Sequence, residues 1–101
     1  MTDVHGFAQP RFDGVKQALA ASLASGADLG ASFAATLDGE PIIDIWGGWA
    51  DAERTRPWEQ DTIVNVYSTT KTMTALTALW LADQGLLDFA RPVAHYWPEF
   101  A

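Results

Sequence analysis

The run Tyr67-Ser68-Thr69-Thr70-Lys71-Thr72-Met73-Thr74-Ala75-Leu76-Thr77-Ala78-Leu79-Trp80-Leu81-Ala82-Asp83-Gln84-Gly85 decides the fold. It predicts a long helix that opens at Ser68 or Thr69, runs to about Gln84 and is capped by Gly85. Met73, Ala75, Leu76, Ala78, Leu79, Trp80, Leu81 and Ala82 make this helix apolar nearly all round. A helix of that kind is normally buried within a large core. Between Ser68 and Gln84 the only charged residues are Lys71 and Asp83.

Working outward toward the N-terminus, residues 62–66 read as a short apolar strand or an extended approach to the helix. Residues 50–61 carry charges and Pro57 and read as an exposed loop. Before them lies a hairpin. Residues 30–37 form its first strand, Asp38-Gly39 gives the turn signal, and residues 41–49 return, rich in isoleucine and tryptophan. Gly47-Gly48 is expected to mark a bend or bulge. Residues 12–25 show a helical pattern, with Phe12, Val15, Leu19 and Leu23 near one face and Gly26 as its stop. Residues 1–10 read as an irregular arm. Toward the C-terminus, Pro92 and Pro98 punctuate residues 86–101, expected as a turn and a short helix. The resulting class is α+β, of the α/β sandwich type: an N-terminal helix, an antiparallel hairpin and a buried Ser-x-x-Lys helix. A lone hairpin and two helices cannot close around so apolar a helix. Residues 1–101 are therefore expected to be an incomplete N-terminal portion of one larger domain.

The bulk numbers narrow the function. The chain has 101 residues, 49% of them apolar, as expected of folded globular protein. Five tryptophans need cover, and each large ring removes roughly 150–250 Å² from water when buried. The net charge is −7, and Arg54 and Arg56 are the only close basic pair, with Glu53 beside them. That argues against a nucleic-acid partner and against an anionic membrane surface. The chain has no cysteine, which removes disulfides and thiolate catalysis. His5 and His95 stand far apart, with no metal-ligand spacing, and no cofactor is implied. The apolar stretch 74–82 is too short to span a bilayer. The polar first ten residues do not read as a signal peptide, so the expected location is the cytoplasm.

Two readings of Ser68 compete. Ser-x-x-Lys alone is weak evidence, since a random chain of this length holds roughly 0.4 copies. Serine is also a preferred N-cap. Lys71 shifts the balance. It lies in the first helical turn, where the macrodipole disfavours a cation by about 0.3–1 kcal/mol. Burying it is costly without a partner, although its side chain could also reach back to solvent. A catalytic reading accounts for both residues. An offset of three puts them on neighbouring positions of one face. Serine needs an adjacent base to become a nucleophile, and burial would favour the neutral, proton-accepting lysine. The helix N-terminus would favour a developing oxyanion.

The run Ile63-Val64-Asn65-Val66-Tyr67-Ser68-Thr69-Thr70-Lys71-Thr72-Met73-Thr74-Ala75 resembles the serine β-lactamase and penicillin-binding-protein superfamily. It is most similar to the class C β-lactamase-like branch, which includes the family VIII esterases. Gln84-Gly85-Leu86-Leu87-Asp88, Pro92-Val93 and Tyr96-Trp97-Pro98-Glu99-Phe100 extend the likeness, as does the hairpin from Asp38 to Gly48. The resemblance implies a β-lactamase-like fold. It implies that Ser68 is acylated by an ester or lactam, that Lys71 helps remove its proton, and that the Ser68 N–H supplies half of an oxyanion hole. The branch also uses a tyrosine from a downstream Tyr-x-Asn motif. Neither Tyr67 nor Tyr96 lies in such a motif, so that role passes to neither. Small esters are the preferred substrates. A β-lactamase or D-Ala-D-Ala carboxypeptidase-like enzyme is the alternative, and an inactive interaction module is the alternative of another class. The missing C-terminal portion is expected to be needed for activity.

Overall fold

The computed structural model describes residues 3–101. The chain divides into two compact units, with the division between Ile63 and Val64.

The first unit is a three-stranded antiparallel sheet with one helix packed on it. Strand β1 is Val4–Ala8, helix α1 is Asp13–Ser25, β2 is Gly30–Leu37 and β3 is Glu40–Gly48. Their order in the sheet is β1-β3-β2. The hairpin forms where the sequence predicts it. Asp38 and Gly39 take φ of 51° and 82°, the positive pair that a two-residue turn of matching twist requires. Helix α1 follows a 3-10 turn at Pro10–Phe12. Its end is a Schellman cap, with the Gly26 N–H on Leu23 and the Ala27 N–H on Ser22. The apolar face predicted for α1 meets the core. Leu23 is buried, and Phe12, Val15 and Leu19 pack against Ile42, Ile43 and Ile45. Each such isoleucine contributes roughly 1.5–3 kcal/mol by leaving water.

Three details differ from expectation. Residues 4–8 are a strand rather than part of an irregular arm, running antiparallel to Ile43–Gly47 from Val4↔Gly47 to Ala8↔Ile43. Residues 1 and 2 of that arm lie outside the described residues. As an edge strand, β1 buries little and shows no apolar alternation, so its pairing satisfies the backbone without leaving a hydropathy signal. The register irregularity also falls elsewhere. It lies between Ala35 and Thr36, opposite Ile43 and Pro41, which leaves Ile42 as the extra residue. That bulge explains why two consecutive isoleucines are both buried. Gly47 serves close approach instead: a Cβ there would lie 2.7 Å from the Asp3 carbonyl and 3.0 Å from Leu23.

The loop after β3 is ordered by one carboxylate. Asp51 accepts hydrogen bonds from the Thr55 N–H (2.8 Å), the Thr55 hydroxyl, the Arg56 N–H (3.2 Å) and the Arg56 guanidinium (3.3 Å). The Thr55 hydroxyl, then the Arg56 and Thr55 amides and the Arg56 side chain, hold its pKa down to about 2, against partial burial, which acts to raise it. The Trp58 N–H bonds the Gly48 carbonyl at 2.9 Å and fastens the loop to the strand end.

The second unit holds α2, Thr70–Asp83, and a short α3, Val93–Tyr96. A 3-10 turn, Tyr67–Thr69, leads into α2, and residues 62–66 carry no regular structure. The end of α2 is as predicted. Gly85, at φ 72°, gives its N–H to Ala82, and Leu86 reaches Leu81 at 2.9 Å. Asp88 organises the following turn. Its N–H donates to the Tyr96 hydroxyl at 2.7 Å, and its carboxylate accepts from the Ala90 N–H at 2.9 Å. The described residues do not supply the larger core expected around α2: none of its residues is buried, and Met73, Leu76, Leu79 and Trp80 each expose more than half their surface. Within this unit the partners on offer are α3 and a 3-10 turn, too short to cover a 14-residue helix on all sides. No helix among the described residues is long and apolar enough to cross a membrane.

Candidate active site

Ser68 is the central residue of the 3-10 turn, and Lys71 is the second residue of α2. The spacing of three brings them together as expected: the Lys71 Nζ donates to the Ser68 Oγ at 3.0 Å. The capping role proposed for Ser68 has no hydrogen bond behind it. The residues that precede the 3-10 turn and α2 are Val66 and Thr69, and neither helix start carries a side-chain cap bond. Both members of the pair are exposed. The desolvation that would help Lys71 accept a proton is therefore not supplied among the described residues.

Two neighbours carry information that the sequence reading did not extract. Tyr67 takes φ +48°. The Thr69 N–H bonds the Val66 carbonyl at 3.1 Å, so Tyr67 and Ser68 are the central pair of a turn whose first position has positive φ. Glycine, asparagine and aspartate dominate that position, and an aromatic residue there stores about 1–3 kcal/mol of strain. Asn65 offers the compensating contact: its Oδ1 accepts the Tyr67 N–H at 3.1 Å. The detectable signal was an asparagine two residues before a turn residue, the spacing of an Asx turn. The Ser68 N–H itself meets no acceptor among the described residues.

A helix-backed antiparallel sheet, followed by a 3-10 turn and helix whose junction holds a hydrogen-bonded Ser-x-x-Lys pair, places the chain among the β-lactamase-like α+β proteins. The beta-lactamase family model matches residues 15–101, and the chain belongs to that family. It is 45% identical over 97 residues to the esterase/beta-lactamase LipL of Mycobacterium tuberculosis, a match covering 96% of this chain and 23% of LipL. A crystal structure of a family VIII carboxylesterase superposes with TM-score 0.91 at 49% identity, over 98% of this chain and 27% of that one. A penicillin-binding protein homolog from Caulobacter crescentus gives TM-score 0.90 at 40% identity, with the same coverage of 98% and 27%. The chain thus spans about a quarter of the length of these relatives. The family is that of esterase and β-lactamase-like serine hydrolases.

Proposed function

We propose that this chain carries the nucleophile and the proton-transfer residue of a serine carboxylesterase that acts on small esters through an acyl-enzyme. The observation that carries the proposal is the 3.0 Å hydrogen bond between Lys71 and Ser68 at the start of α2. In the reaction the Ser68 Oγ bonds to the ester carbonyl carbon as its proton passes to the Lys71 amine. The carbonyl becomes an oxyanion, for which the unengaged Ser68 N–H is a donor. Collapse breaks the bond to the leaving alcohol, which takes a proton from Lys71. Water then attacks the acyl-enzyme, and the acid departs with Ser68 restored. The ester preference is supported by the carboxylesterase among the solved structures.

Residues 1–101 are read as an incomplete portion of one β-lactamase-related domain, in keeping with their coverage of 23% and 27% of the relatives. The general base and second oxyanion donor that the branch employs would come from the remainder. Losing one such donor costs about 10²–10³ in rate, so the 101-residue chain alone is expected to show little or no ester hydrolysis.

A fluorophosphonate probe on the full-length protein is the direct test. Labelling mapped to Ser68 and lost in Lys71→Ala supports the hydrolase. A short-chain nitrophenyl ester turned over more slowly than a chromogenic cephalosporin would move the assignment to a β-lactamase. The exposed apolar surface of α2 favours one reading of another class, a non-catalytic interaction module. Absence of any labelling in the full-length protein would select it.

A further inference from the structure

We propose that the first unit carries a binding cleft for a small amino acid with an aromatic side chain, held as its zwitterion between Arg54 and Asp3. The cleft has a volume of about 400 Å³ and lies where the start of β1, the end of β3 and the following loop meet. That volume falls within the range of small-molecule sites. Asp3 and Arg54 both line it, yet among the described residues neither makes an ion pair. A carboxylate and a guanidinium that share a cleft without pairing leave both charges open to a molecule with the opposite ends. Trp49, Pro57 and Trp58 supply the apolar wall. Among the described residues, the indole N–H of Trp58 is also the one buried side-chain polar group without a hydrogen-bond partner. An unmet donor of that kind asks for an acceptor from outside those residues.

The loop is held in place by its own bonds. Asp51 gathers Thr55 and Arg56, the Ala50 N–H reaches the Arg56 carbonyl at 2.8 Å, and the Arg54 N–H reaches the Asp51 carbonyl at 3.1 Å. Arg54 takes φ +57° there, an uncommon conformation for such a residue, and strain of this kind gathers at ligand clamps. The chemistry of the lining selects the ligand. A guanidinium holds a carboxylate through two parallel hydrogen bonds. The Asp3 carboxylate takes the ammonium, for which an indole face is a further partner. The aromatic side chain leaves water against the apolar wall. A simple acid would leave Asp3 unpaired and would meet a chain of net charge −7, which repels anions. A simple amine would leave Arg54 unpaired. The zwitterion uses both charges and carries none in sum.

Isothermal titration calorimetry of L-phenylalanine into the full-length protein is the test. Saturable binding with one equivalent per chain is expected. Phenylpropanoate, which lacks the ammonium, and phenylethylamine, which lacks the carboxylate, should each bind at least about tenfold more weakly, the least that losing a hydrogen bond between charged groups costs. Arg54→Gln and Asp3→Asn should each weaken phenylalanine about 10- to 100-fold for the same reason. Both positions are exposed, so thermal melting should be nearly unchanged in either variant. Ser68→Ala should bind as the wild type does. No saturable binding to the wild type overturns the proposal, as does phenylpropanoate or phenylethylamine binding as tightly as phenylalanine. Wild-type affinity in Arg54→Gln or in Asp3→Asn overturns it too. Loss of binding in Ser68→Ala would put the ligand at Ser68 instead and overturn the cleft, while leaving the hydrolase reading in place.

Discussion

Lys71 stands one residue into α2, where the helix field works against a cation. A lysine kept for stability would not be placed there. Lys71→Ala should therefore leave folding stability unchanged or raise it slightly, by up to about 1 kcal/mol. The same change should cut serine labelling about 10²–10⁴-fold, the usual worth of a proton-transfer group. A clear loss of stability on melting would recast Lys71 as structural. Asp51 makes the opposite kind of case. Its folded pKa of about 2 lies below the ordinary 3.8, so its contribution is complete above that ordinary value and is lost as pH falls toward about 2. Asp51→Asn should melt below the wild type at pH 7, and the gap should close in acid. A gap equal at pH 7 and at pH 2 would mean that the charge is irrelevant. Of the residues around the site, Ser68 and Lys71 were legible because a spacing of three has a fixed meaning on a helix. Tyr67 was not, because residue type argues against the backbone angle it takes.

Elements were legible to the extent that their chemistry is local. The Asp38-Gly39 turn and the Gly26 and Gly85 stops depend on a few adjacent residues, and all three form as predicted. Strand β1 and the Ile42 bulge depend on what β3 meets across the sheet, which no window of the sequence contains. Gly85 allows a clean measurement. A Cβ there would meet nothing within 4 Å, so Gly85→Ala reports backbone conformation alone and should cost about 1 kcal/mol or somewhat more. Thermal or urea unfolding would show it, and a neutral result would mean that the cap contributes little. Ile45 is fully buried in β3, and Ile45→Ala should cost about 2–5 kcal/mol by the same measurement.

At the scale of the whole chain, the buried side chains among the described residues all belong to the first unit: Leu23, Ile42, Ile43 and Ile45. The apolar composition of α2 was readable, but its cover was not, because composition does not say which surface a helix will meet. Hydrogen exchange on the 101-residue chain should show slow amides along β3 and faster ones along α2, since protection follows buried contacts. Equal protection in both units would contradict that division. The sheet order has a practical outcome for anyone who concentrates this chain. Strand β2 pairs with β3 along one side and, among the described residues, with nothing along the other. It also exposes Phe33 and Leu37. A bare rim of amides and carbonyls beside exposed apolar side chains is a template for strand addition. Solutions of the isolated chain should therefore scatter light increasingly with concentration as copies dock rim to rim, and a lysine at position 33 should keep them clear.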